Sequence, residues 1–278
     1  MSSVLRLRKT VAGTACFEGR GLHSGVPVRV EVHPGEHGIF FAIGPERIAA
    51  RPDQVTDTWR CTRLGSISTI EHLMSALAGL GITDAEIELD ASELPALDGS
   101  ASRWCEGLLA QGLIDLPPDD ITLPFARIFE KSDSGSIAIS RGAGLWTYVF
   151  DGGERFPERQ EFVFDVSRDD YASQVAPART LVFEDEVAAA RAAGLGGGLD
   201  ESSVLVLGST GYVNPARFPD EPARHKLLDL MGDLYLAGVP IGLLNVSAER
   251  SGHRLNVGAA RRLYEACWSG RRDSNPQP

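Results

Sequence analysis

With 278 residues, 43% of them hydrophobic and 23% charged, the chain can bury one large or two ordinary cores. Its formal net charge of −11 argues against a nucleic-acid surface, because phosphate contacts need a basic face. An anionic small substrate would need a local positive pocket.

In chain order, residues 26–32 alternate apolar and polar side chains and predict a strand, with Pro27 suited to its start or to an edge. Residues 68–80 read as a helix, 85–90 as a second strand and 102–111 as a second helix. The proline and acidic density of residues 115–120 reads as a linker, so domains are expected at 1–116 and 121–268. In the second half, strands are expected at 136–140, 146–150 and 161–166, then a helix at 184–193 and a glycine-rich stretch at 194–198. A strand at 204–207, a helix around His225, a strand at 241–246 and a helix at 257–268 follow. Strands and helices mix without strict βα alternation, which predicts two α+β domains of similar size. No sequence repeat between the halves is evident. Residues 269–278 carry no apolar content beyond their prolines and are expected to be a disordered tail.

The cysteines Cys16, Cys61, Cys105 and Cys267 form no C-x-x-C pair, which fits reduced thiols in a cytoplasmic protein. No apolar run approaches the ~18 residues that span a bilayer. Residues 1–10 are basic without a following apolar core, so no signal peptide is expected.

The helix around His225 is the most informative segment. Leu227, Leu228, Leu230, Met231 and Leu234 give it a helical apolar period, while His225, Asp229 and Asp233 recur at i, i+4 and i+8 as a polar stripe. Buried carboxylates are costly unless paired or bound to a metal. A structural His–Asp pair or a half-exposed polar face fits the spacing as well as a metal site does. Lysine is confined to Lys9, Lys131 and Lys226, which makes Lys226, beside His225, conspicuous. Of the other histidines, His33 and His37 flank a turn and read as surface residues, and His23 and His253 read on their own as loop residues. Glu71-His72 could be a plain surface helix start. Yet His72, His225 and Asp229 together would supply the three ligands of an open zinc site, with Glu71 adjacent to take a proton from water.

Six segments in order strengthen that reading: GLHSG (21–25), STIEHLMSALAGL (68–80), LDGSA (97–101), ART (178–180), RHKLLDLMGD (224–233) and SGHRLN (251–256). Taken together they resemble the UDP-3-O-acyl-N-acetylglucosamine deacetylases, zinc amidases of lipid A synthesis. The resemblance spans nearly the whole chain short of the tail. It implies two similar α+β domains, each a small sheet layered with helices, with the active site at their interface. It implies a cytoplasmic monomer that hydrolyses the acetamide of UDP-3-O-acyl-N-acetylglucosamine, with Zn2+, or Fe2+ in the cell, as its metal.

Carried over residue by residue, His72, His225 and Asp229 are the metal ligands and Glu71 the general base. Thr180 helps hold the oxyanion, His253 is the general acid, and Asp233 is its partner. Lys226 would contact the substrate at its diphosphate, and His23 would line the site. An insert at 181–207 would form the acyl-chain passage, with Leu181 where an aromatic is common. Two departures stand out: residues 59–66 are short, and 194–199 are richer in glycine than the resemblance leads one to expect. A metal-binding homologue without catalysis is disfavoured by the presence of Glu71 and His253. An amidase acting on another nucleotide sugar is left open, because Lys226 suits either substrate.

Overall fold

The computed structural model describes residues 3–268; the tail expected at 269–278 lies outside the described residues. The first half contains β1 (Ser3–Val11), β2 (Ala15–Arg20), β3 (Pro27–Pro34), β4 (Ile39–Ile43) and β5 (Glu46–Ala49). It continues with β6 (Val55–Asp57), β7 (Arg63–Leu64), α1 (Glu71–Leu80), β8 (Ala85–Leu89), α2 (Ser102–Ala110) and β9 (Leu113–Thr122). The second half contains β10 (Arg127–Lys131), β11 (Ser136–Arg141), β12 (Leu145–Asp151), β13 (Arg159–Asp165) and α3 (Tyr171–Gln174). Then come β14 (Leu181–Phe183), α4 (Val187–Ala192), β15 (Leu205–Leu207), α5 (Glu221–Tyr235), β16 (Leu244–Glu249) and α6 (His253–Trp268).

Although no repeat is visible in the sequence, the halves share one plan. The first five-stranded sheet runs β2-β3-β8-β4-β5 and the second β10-β11-β16-β12-β13. In each, the last strand enters the centre, antiparallel to the second strand and parallel to the third. In each, one helix (α1 or α5) precedes that central strand and another (α2 or α6) follows it. Helix α2 packs on β2, α6 on β10 and β11, and α5 on β12 and β13, while α1 packs chiefly across on α5. The burial of β3, β11 and β13 alternates, as expected of sheets with one face on helices and one toward solvent. A single hydrophobic core runs through both halves, with Phe41, Trp104, Trp146 and Phe164 among its largest fully buried side chains.

Several expectations need correction. Residues 115–120 are not a linker: they lie within β9, which pairs antiparallel with β1. The register slips between Arg6 and Arg8, opposite Asp119 and Leu116, so Pro117 and Pro118 fall at the irregularity, where their missing N–H groups cost no ladder bonds. Arg6 reinforces the pairing through Asp119, with Nε to Oδ1 at 2.7 Å.

Helix α1 begins at Glu71 rather than at residue 68, because Thr69 lies in the left-handed region at φ 63° and Ser68 hydrogen-bonds Ser92. The helix ends in a left-handed cap at Gly81. Residues 241–243 form a 3-10 turn before β16, and residues 184–186 a 3-10 turn before α4. The insert at 181–207 is a β-α-β unit whose strands β14 and β15 pair in parallel. Among the described residues, no helix is long and apolar enough to cross a membrane.

Candidate metal and catalytic site

The facing of α1 and α5 assembles the site. Gly232 of α5 lies against Glu71 of α1: a Cβ there would come 2.1 Å from the Glu71 carbonyl oxygen, so only glycine allows this approach. The contact brings His72, in the first turn of α1, beside His225 and Asp229 of α5. All three are buried, and one ligand atom from each lies within 4.8 Å of the others. His72 Nε2 is 3.6 Å and His225 Nε2 3.5 Å from Asp229 Oδ1, and the two imidazole rings meet edge-on with centroids 5.2 Å apart.

This donor set fits a divalent metal. Asp229 Oδ1 is buried with no hydrogen-bond partner, although such an atom is costly to leave unsatisfied. Two imidazole nitrogens and one carboxylate oxygen match the open three-ligand arrangement of hydrolytic zinc centres, and suit ferrous iron as well. His225 Nδ1 lies 3.1 Å from the Ala178 carbonyl, to which it donates, so Nε2 keeps its lone pair for the site. Burial, only partly offset by Asp229, pulls the His225 pKa down to about 4, which keeps the ring neutral and able to ligate. Asp229 is held well below the usual carboxylate range: burial opposes its ionisation, but His225, Lys226 and His72 outweigh it. Lys226 Nζ donates to Asp229 Oδ2 at 2.6 Å.

Two proton-transfer candidates sit next to this trio. Glu71 Oε2 accepts the Thr62 backbone N–H at 3.0 Å, leaving Oε1 3.9 Å from His253 Nε2. Burial pushes the Glu71 pKa up, against the pull of His253. His253 is not a loop residue. It opens α6, and its Nδ1 donates to Asp233 Oδ2 at 2.9 Å. Burial disfavours the imidazolium, but the Asp233 carboxylate and then Glu71 outweigh it and raise the His253 pKa to about 9.

Asp233 is fully buried and accepts two further bonds, from Thr62 Oγ1 at 2.5 Å and Asn256 Nδ2 at 2.9 Å. Thr62 and Asn256 were not picked out in the sequence. Their signal was adjacency to the motifs, Thr62 within the short segment 59–66 and Asn256 closing SGHRLN, and neither carries a distinctive side chain.

A cavity of about 1220 Å³ opens onto this cluster and is lined by Glu71, His72, His225, Asp229 and His253. Thr180, Leu181 and Lys226 also line it, as does His23, whose two ring nitrogens are buried without hydrogen-bond partners. The insert supplies most of the apolar wall, including Val182, Phe183, Val187 and Leu199.

The glycine-rich stretch has a structural cause. Gly197 N donates to the His23 carbonyl at 2.9 Å and Gly198 N to the Leu22 carbonyl at 3.2 Å, so the insert is joined backbone to backbone with loop 21–25. A Cβ at Gly198 would lie 2.3 Å from the Gly21 oxygen. Glu93, also absent from the sequence reading, holds the other side of that loop by accepting the His23 and Ser24 N–H groups, both at 2.8 Å.

Every sequence-predicted site residue therefore gathers in one place, on elements from both halves. Comparison with known proteins finds a family match and relatives along nearly the whole chain. A family profile described as LpxC, UDP-3-O-acyl N-acetylglycosamine deacetylase, matches residues 8–265. The UDP-3-O-acyl-N-acetylglucosamine deacetylase of Thermosynechococcus vestitus is 37% identical, over 94% of this chain and 95% of its own length. That of Trichormus variabilis is 34% identical over 91% and 97%. The Brucella melitensis protein of the same name is 32% identical over 92% and 94%.

Proposed function

This chain belongs to the UDP-3-O-acyl N-acetylglycosamine deacetylase family, and on that premise we propose how its residues divide the work of hydrolysis. The reaction is removal of the acetyl group from UDP-3-O-acyl-N-acetylglucosamine, with acetate and the free 2-amine as products. His72, His225 and Asp229 would hold zinc as its metal. The zinc would supply Lewis acidity to the acetamide carbonyl and to the attacking water.

Glu71 is the general base. Thr62 fixes Oε2, so Oε1 is the oxygen that takes the proton of the water. Its burial lifts its basicity toward the working range. His253 is the general acid and donates from Nε2 to the leaving amine, because Nδ1 is committed to Asp233. The Thr180 hydroxyl donates to the carbonyl oxygen as negative charge develops there.

Lys226 spends one of its three N–H groups on Asp229 and has two left for an anionic part of the substrate, the diphosphate. The unpartnered nitrogens of His23 offer a further polar contact. Leu181 and the rest of the insert wall receive the acyl chain.

The observation that carries this division is the 3.9 Å facing of Glu71 Oε1 and His253 Nε2 at the edge of the ligand trio. Placed there, a base and an acid can act on opposite ends of one scissile amide. The test is to purify the protein, assay its zinc, and follow acetate release from UDP-3-O-acyl-N-acetylglucosamine. One zinc per chain with turnover is expected; stoichiometric zinc without acetate release would overturn the reading.

A further inference from the structure

The polar stripe of α5 is one residue longer than the chemistry uses. Glu221, His225, Asp229 and Asp233 recur at four-residue spacing and are all buried. Glu221 meets Arg179, with side-chain exposures of 0% and 5% respectively. Its Oε1 accepts from the Arg179 backbone N–H at 3.0 Å and from Arg179 Nε at 2.9 Å. Its Oε2 accepts from Arg179 Nη2 at 3.2 Å and from the Arg217 N–H at 2.6 Å. The carboxylate thus grips the backbone of the residue between Ala178, whose carbonyl takes the His225 Nδ1–H, and Thr180, which lines the cavity.

The LDGSA segment, which places no group in the ligand cluster, holds the other edge of the same stretch. Thr180 N donates to the Gly99 carbonyl at 2.7 Å, and Ala101 N to the Ala176 carbonyl at 2.9 Å. Arg217 closes the frame, donating to Asp98 Oδ2 at 2.9 Å and to the Pro177 carbonyl at 2.8 Å. Gly99 sits at φ 75°, and a Cβ there would fall 1.6 Å from the Ser203 oxygen, so the motif tolerates no side chain at this point.

We propose that Glu221, with Arg179, is a positioning residue of the deacetylase site, holding residues 176–180 so that the Ala178 carbonyl orients the His225 ring and Thr180 stays at the cavity wall. This inference rests on the reading of His225 as a metal ligand. The partner of a ligating histidine fixes ring orientation and tautomer, and losing that partner weakens metal binding by roughly tenfold to a hundredfold. Here the partner is a backbone carbonyl, which cannot be mutated, so its placement is set by the ion pair one residue away.

The test titrates zinc-loaded enzyme with a chromophoric chelator and reads metal transfer, alongside kcat, KM and Tm. Glu221→Gln keeps the shape but removes the charge, and Arg179→Met removes the donors. Both are expected to weaken zinc affinity by about tenfold or more, and to lower kcat with KM little changed. Arg179→Lys keeps a cation beside Glu221 and should recover much of the zinc affinity lost in Arg179→Met. If Arg179→Met does not fold, Glu221→Gln and Arg179→Lys decide. His225→Ala serves as the control. If it retained zinc, the ligand assignment itself would fall. If it lost zinc while Glu221→Gln bound zinc as tightly as the parent and only Tm dropped, the pair would be merely structural and the proposal overturned.

Discussion

Helices α1 and α5 occupy equivalent places in the two halves, each entering the chain just before the central strand of its sheet, yet they carry different loads. Helix α1 gives the site two adjacent residues from its first turn, Glu71 and His72. Helix α5 gives a buried stripe running from Glu221 to Asp233. The inserts differ in the same way. The first half carries the short pair β6–β7, whose connection presents Thr62 to Glu71 and Asp233, while the second carries the β-α-β unit that walls the cavity. One sheet plan used twice supplies rigid backing, and the candidate site residues lie where the two halves differ.

The proposed base lies on α1 and two of the three proposed metal ligands on α5, and the largest expected effect tests that division. Glu71→Ala should cut kcat by about 10²–10⁴-fold while zinc content stays at one per chain, measured by acetate release and metal analysis. Loss of zinc in that variant would instead place Glu71 among the ligands.

The proposed acid, His253 on α6, is paired with Asp233 of α5, and this gives the next effect. Its pKa is raised from the ordinary 6.5 to about 9, so if its protonated form is the donor, kcat/KM should fall as pH rises through about 9. Asp233→Asn removes the first raising influence and should move this limb to lower pH; an unmoved limb would separate Asp233 from the acid. The same raised value makes a contribution to stability that is fully present below pH 6.5 and is lost as pH rises through about 9.

A smaller effect concerns the seam between the two helices. Gly232→Ala forces a methyl group against the Glu71 backbone and should cost about 1–3 kcal/mol, seen as a lower Tm together with reduced turnover. A variant of unchanged Tm would mean that the helices part freely. The smallest effect belongs to the insert. Leu181→Ala should raise KM for a long-acyl substrate a few-fold with kcat kept, since it removes apolar contact shared by ground and transition states. Equal KM values for long and short acyl chains, in parent and variant alike, would detach the insert from acyl binding.

The chemistry was easier to read than the scaffold. His225, Asp229 and Asp233 showed in the helical period, and the order of motifs brought Glu71, His72, Thr180 and His253 to them. Glu221 obeys the same spacing but precedes Pro222, so it reads as a helix start rather than as part of the stripe. Residues 115–120 read as a linker because Pro117 and Pro118 are poor strand formers, and only their placement opposite the register slip with β1 reconciles them with a strand. Strand β4 escaped notice because Ile39–Ile43 is apolar without alternation, giving no period to detect. The glycine-rich run has no local meaning at all, and its cause is a backbone contact with a loop about 170 residues earlier in the chain. The duplicated topology is invisible for a related reason: sheet order is set by long-range pairing, which a pattern of burial repeats without repeating its residues.

The pairing of β1 with β9 bears on how the chain is born. By Thr122 the first sheet has all its strands and the N-terminal strand has found its partner, while α5 lies about a hundred residues further on. At roughly 5–20 residues per second, the first half of the molecule waits on the order of ten seconds on the ribosome with the α5-facing side of α1 uncovered. The arrival of α5 then covers that surface and, in the same movement, brings His225 and Asp229 beside His72.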